Sequence, residues 1–89
     1  MALQIINAGA NPNDVVDQIR AAIAKALPEA AIEVKAQGPG HFEIAVTAAA
    51  FAGKPRVRQQ QLVYGAIAHL MAGPNAPVHA VDRLDCRVP

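Results

Sequence analysis

The chain has 89 residues, 53% of them hydrophobic and 17% charged, with a formal net charge of +1. A chain this short buries roughly 60–65% of its unfolded surface, enough for one two-layer core, and residues 1–89 are expected to form a single domain. The balance fits neither a disordered polyelectrolyte nor an obligate non-specific nucleic-acid binder. Two Phe, one Tyr and no Trp leave the core to Val, Ile, Leu and Ala, with no spare volume for a deep enclosed substrate pocket.

The first helix is the best-marked element. In NPNDVVDQIRAAIAKALPEA, Asn11 can cap, Pro12 suits the first helical position, and Asp14 complements the helix dipole. Val15, Ile19, Ala22, Ile23, Ala26 and Leu27 repeat at three- and four-residue spacing and define one apolar face; Pro28 stops the run. Two short strands follow. Ile32 and Val34 alternate with Glu33 and Lys35, and Phe42, Ile44 and Val46 alternate with Glu43 and Ala45. The QGPG stretch, residues 37–40, is short enough for a hairpin, as either a rigid turn or an exposed tip.

Beyond it, Ala48 to Ala50 can start a helical turn that Gly53 and Pro55 break, which makes Phe51 an isolated anchor. A second long helix is predicted from about Arg56 to Met71, with Leu62, Val63, Ala66, Ile67, Leu70 and Met71 as its apolar stripe. Gly73 and Pro74 end it. From Pro77, VHAVDRLDCRV reads as a third strand. Its alternation is imperfect: Val78 and Ala80 share one face, and Leu84, Cys86 and Val88 form a clearer later set. The adjacent Ala80–Val81 pair suggests a bulge. One amphipathic sheet covered by amphipathic helices gives a two-layer α+β fold.

The charge is unevenly spread. Residues 1–50 carry three basic and five acidic side chains, and residues 51–89 carry five basic and two acidic, so a basic patch is permitted on the second half. The lone Cys86 excludes an internal disulfide and an all-cysteine metal site. The opening MALQIINAGANPND has no basic n-region, and no window approaches the ~20 apolar residues of a membrane span. A cytoplasmic location without a membrane partner is the expectation.

His79, in PVHAV, is the pivotal residue. It reads either as a strand histidine satisfied by backbone or as a ligand near a sheet edge, where an imidazole nitrogen can face a partner. His41 heads the second strand and can approach His79 if strands two and three are neighbours. His69 belongs at the solvated flank of the long helix. No CxxC, HExxH or C-x-H spacing is present, so a complete tetrahedral zinc site within one chain is not expected. Cys86 keeps period with Leu84 and Val88 and reads as a small buried residue. Tyr64, among apolar neighbours, reads as a wedge with an outlet for its hydroxyl.

Lys54, Arg56 and Arg58, followed by Gln59, Gln60 and Gln61, can meet phosphates and bases or can form a solvated face. No aromatics interleave them for base stacking. Basic residues at a helix start oppose the dipole, which favours a loop or a late helix start there. The chain contains no serine, its acidic residues are scattered, and the Gly-x-Gly of QGPG precedes a strand rather than a phosphate-binding helix. An enzyme is not expected.

Taken in order, HFEIAV, FAGKPRVRQQQLVYGAI, MAG and VHAV resemble the BolA-like family. Gln60-Gln61 and Tyr64-Gly65 look most like its IbaG/YrbA branch, and the resemblance covers roughly residues 14 to 84. It implies an α-β-β-α-α-β fold similar to a class II KH domain, with the helical link as a short helix of its own. The GxxG loop is missing, because Gly53-Lys54-Pro55-Arg56 keeps only the first glycine, so a KH-type clamp on four nucleotides is not implied.

The resemblance further implies a non-enzymatic role in iron–sulfur cluster handling or sensing. The implied partner is a monothiol glutaredoxin, sharing a 2Fe–2S cluster with it and with glutathione. His79 matches the family's ligand histidine. The second ligand usually comes from a longer loop between the first two strands; QGPG offers neither His nor Cys, and His41 is the nearest candidate. An alternative family attribution is transcriptional regulation, with duplex DNA held weakly and salt-dependently by Lys54, Arg56 and Arg58. A monomer or weak homodimer is expected. The chain ends in DCRVP where relatives commonly continue through a Thr-Pro segment, a departure at the edge of the last strand.

Overall fold

A four-residue repeat of branched aliphatics sets the first helix on its sheet. The computed structural model of the chain describes residues 12–89, and α1 spans Pro12–Ala26, with Asp14 in its first turn and Lys25 in its last, both complementing the dipole. Val15, Ile19, Ile23 and Leu27 are all buried, as an amphipathic stripe requires. The proposed cap at Asn11 lies outside the described residues.

The hairpin follows directly. Strand β1 (Ala31–Gly38) pairs antiparallel with β2 (His41–Thr47), from Ala31↔Thr47 to Gly38↔His41. Only Pro39 and Gly40 connect them, and Gly40 has φ +77. Proline followed by a positive-φ glycine is what a type II turn demands, so QGPG closes as a tight turn. Val34, Phe42, Ile44 and Val46 are buried, and Ile32 packs partly against them, which is the alternation read from the sequence.

After Thr47 the chain makes a single 3-10 turn, Ala49–Phe51, where the family pattern implied a helix. Phe51 is 0% exposed and anchors this link. Helix α2 then spans Arg56–Met71 with no acidic residue in its first turn, so the late start that Arg56 and Arg58 favoured does not occur. The Gln59 amide donates to the carbonyls of Phe51 (3.2 Å) and Lys54 (3.0 Å) and braces the helix entry instead.

Val63, Ile67 and Leu70 form the buried stripe of α2, with Ala66 and Met71 packed partly against the core. Leu62 and Tyr64, read as stripe member and wedge, are each 38% exposed. They flank Val63 by about 100° on either side of the axis, which takes both off the core face. Ala26, assigned to the core face of α1, is also exposed; it lines the open groove between the helices beside Ala66 and Leu70.

Strand β3 (Ala80–Arg87) lies parallel to β2, giving the order β1-β2-β3. A parallel neighbour needs a crossover, supplied here by the link and α2. The ladder starts at Ala80 rather than at Pro77, because the Val78 amide donates to the Leu70 carbonyl (3.1 Å) at the end of α2. Val78 is buried there. The register then steps from Phe42↔Val81 to Glu43↔Arg83, which leaves Asp82 as the extra residue of a bulge just beyond Ala80–Val81. That step lets Val81 and Leu84, three apart, both pack on the core. Val88 lies past the strand and is half exposed.

The α+β architecture is thus two helices on one face of a three-stranded sheet. The other face is solvated and polar, with Asp85 held between Arg83 (3.2 Å) and Arg87 (3.6 Å). Among the described residues no helix is long and apolar enough to cross a membrane. Phe51→Ala should cost about 3–5 kcal/mol, read as a fall in the urea midpoint. Tyr64→Ala, on the exposed flank of α2, should change stability by no more than about 0.5 kcal/mol.

Candidate functional site

The tip of the hairpin and the start of the last strand form one end of the sheet, and both candidate histidines are there. The Gly40 carbonyl accepts the amides of His79 (2.8 Å) and Ala80 (3.0 Å). His41 pairs with Ala80 across the ladder. Strands two and three are therefore neighbours, as an approach of His41 to His79 required.

His79 is exposed. It lies one residue ahead of β3, between buried Val78 and the first ladder residue. The reading of a strand histidine satisfied by backbone holds for its amide, which is spent on the fold, while its side chain stays exposed. The ring packs against the turn: a Cβ on Gly40 would stand 2.6 Å from His79 Cγ and 2.7 Å from Nδ1. Gly40 therefore serves twice, once for its positive φ and once for the space its missing side chain leaves.

His41 is held differently. Its Nδ1 lies 3.0 Å from Asp82 Oδ1, and both side chains are nearly half exposed. An ionised carboxylate only accepts hydrogen bonds, so Nδ1 is the donor. His69, on α2, is exposed as expected. Among the described residues no three His, Cys, Asp or Glu side chains come together as a metal cage.

Cys86 is not part of this end. It lies six residues along β3 from Ala80, about 20 Å at the usual strand rise. It is half-buried against the core. Burial pushes its thiol pKa up, Asp85 adds to the rise and Arg56 opposes it. A thiol that resists ionisation is a poor nucleophile and a poor metal ligand.

The basic residues sit at the same far end as Cys86. Arg56 lines a small cleft with Gln60, Asp85, Cys86 and Arg87. Lys54 donates its Nζ hydrogen to the Ala50 carbonyl (2.8 Å). Arg58 follows Arg56 by two positions on α2, about 200° around the axis. Arg56 and Arg58 are close in sequence but do not share one face of α2.

Two residues of the histidine end escaped the sequence reading. Gly40 was visible only as a turn glycine, and its contact with His79 spans the whole crossover. Asp82 carried a faint signal, the broken alternation near Ala80–Val81, but nothing in that pattern names His41 as its partner, 41 residues away.

The sequence profile for BolA-like protein matches residues 17–86, and the chain belongs to the BolA-like family. The solution structure of mouse BolA1 is 28% identical with a TM-score of 0.68, covering 100% of this chain and 75% of that one. The BolA homologue of Coxiella burnetii is 25% identical with a TM-score of 0.68, over 90% of this chain and 92% of its own. The BolA domain of SufE1 from Arabidopsis thaliana shares the fold at 21% identity and a TM-score of 0.71, with 96% of each chain covered. A search of curated protein sequences returned no match.

Gly40→Ala should destabilise the domain by about 1–2 kcal/mol through positive-φ strain and displace the His79 ring, seen as shifted imidazole resonances. Cys86 should be alkylated by iodoacetamide more slowly at pH 8 than a free thiol of the unfolded chain. Raising the pH should narrow that gap as the thiolate forms.

Proposed function

We propose that this BolA-like chain is a non-enzymatic accessory protein in iron–sulfur cluster handling or sensing, similar in role to the IbaG/YrbA branch. It lends His79 to a 2Fe–2S cluster shared with a monothiol glutaredoxin and glutathione. The observation that carries this reading is the exposed imidazole of His79, held against Gly40 at the end of the sheet. A catalytic histidine would be expected in a cleft among other polar groups. An exposed histidine at the end of a sheet suits a site completed by a partner.

The ring fits such a role chemically. When bound, a 2Fe–2S cluster supplies one-electron chemistry and transferable iron and sulfide. An imidazole ligand adds no negative charge, which favours a higher potential than an all-thiolate set. Imidazole also binds metal only when neutral, so this chain's hold is releasable. Val78 in the core and Ala80 in the ladder fix the backbone on both sides of His79, so the ring is presented with little ordering cost on docking. Cys86, at the far end and resistant to ionisation, has no part in the site.

The alternative, duplex DNA held by Lys54, Arg56 and Arg58, has less behind it. Arg56 and Arg58 diverge on α2, and the Lys54 ammonium is already engaged by the Ala50 carbonyl.

Reconstituting the chain with a monothiol glutaredoxin, glutathione, iron and sulfide should give a visible-region circular dichroism spectrum distinct from that of the glutaredoxin homodimer. His79→Ala should abolish the difference while its far-ultraviolet spectrum stays native, since the side chain is exposed. A mutant spectrum identical to that of the wild-type complex would overturn the assignment.

A further inference from the structure

The bulge in β3 has a chemical product. Between Phe42↔Val81 and Glu43↔Arg83 the strand carries one residue more than its partner, and that residue, Asp82, places Oδ1 3.0 Å from His41 Nδ1. Bulges commonly re-aim a side chain in this way. His41 is the first residue after the Pro39–Gly40 turn and pairs with Ala80, the neighbour of His79. The contact therefore lies at the same end of the sheet as the proposed ligand.

We propose that Asp82 is a positioning residue for that site, holding His41 in the Nδ1–H tautomer so that Nε2 is its free nitrogen and serves as the chain's second ligand. The inference rests on the cluster reading above. A carboxylate can only accept, so the contact requires the proton on Nδ1, and a neutral ring then keeps its lone pair on Nε2. In water the opposite tautomer of a histidine side chain is favoured, so the carboxylate imposes a choice that solvent would not. Carboxylates placed behind metal-binding imidazoles orient the ring and raise its basicity in the same manner. The two-residue turn leaves no loop long enough to carry a ligand of its own, and the first side chain beyond it takes that place.

Two measurements test this. In the isolated, nitrogen-15-labelled protein at alkaline pH, long-range proton–nitrogen correlations should show His41 mainly as the Nδ1–H tautomer. Asp82→Ala should return it to Nε2–H, and Asp82→Asn, which keeps an acceptor oxygen, should preserve the wild-type form. A wild-type His41 that is mainly Nε2–H, or one unmoved by Asp82→Ala, overturns the positioning role.

In the reconstituted complex with glutaredoxin and glutathione, Asp82→Ala and His41→Ala should each weaken cluster retention against a chelator about tenfold or more, with Asp82→Asn close to wild type. If His79→Ala alone alters the complex, the roles of Asp82 and His41 fall while the proposed function stands. If His79→Ala also has no effect, the cluster reading fails and takes the ligand role of His41 with it.

Discussion

One carbonyl oxygen joins the two halves of this molecule. Gly40, at the tip of the hairpin, accepts the amides of His79 and Ala80, and that contact sets where the last strand enters the sheet. A parallel strand returning from a crossover has no tight turn to fix its register. Here the register is fixed at the first step, against a turn that is itself locked by Pro39 and the positive φ of Gly40. Everything chemically notable at this end follows from it: the outward position of His79, the pairing of His41 with Ala80, and the reach of Asp82.

The sheet consequently has two chemically different ends. At one, two imidazoles lie on or beside a tight turn, neither of them buried. At the other, a half-buried thiol with a raised pKa shares a cleft with arginines and a carboxylate. Cys86 is the lone cysteine of the chain and, by residue type alone, the obvious metal ligand. Its distance from the histidines and its resistance to ionisation both argue against it. The basic residues belong to the thiol end, so the two functional readings of the sequence concern separate surfaces.

Periodicity made most of the fold legible. Val15, Ile19, Ile23 and Leu27 on α1, and Phe42, Ile44 and Val46 on β2, are spaced by the geometry of their own elements, so each face could be read locally. Arg56–Met71 was bounded by proline and glycine and came out as read. What local patterns could not carry was tertiary. The fit of the His79 ring against Gly40 depends on two segments separated by the crossover. Leu62 and Tyr64 look apolar enough for the core, but each sits about 100° off the buried stripe of α2. The third strand starts later than its apolar pattern indicates because Val78 answers to the end of α2 before the ladder begins.

The bulge in β3 bears on how such a site can be gained or lost. Val81 and Leu84 both face the core only because one residue between them is left out of the ladder. Without it the strand would alternate regularly, with the same aliphatic residues pointing inward. Asp82 is in this sense an insertion that the core does not sense. A lineage could acquire or discard the carboxylate behind His41 in a single codon step while Val81 and Leu84 keep the same inward face.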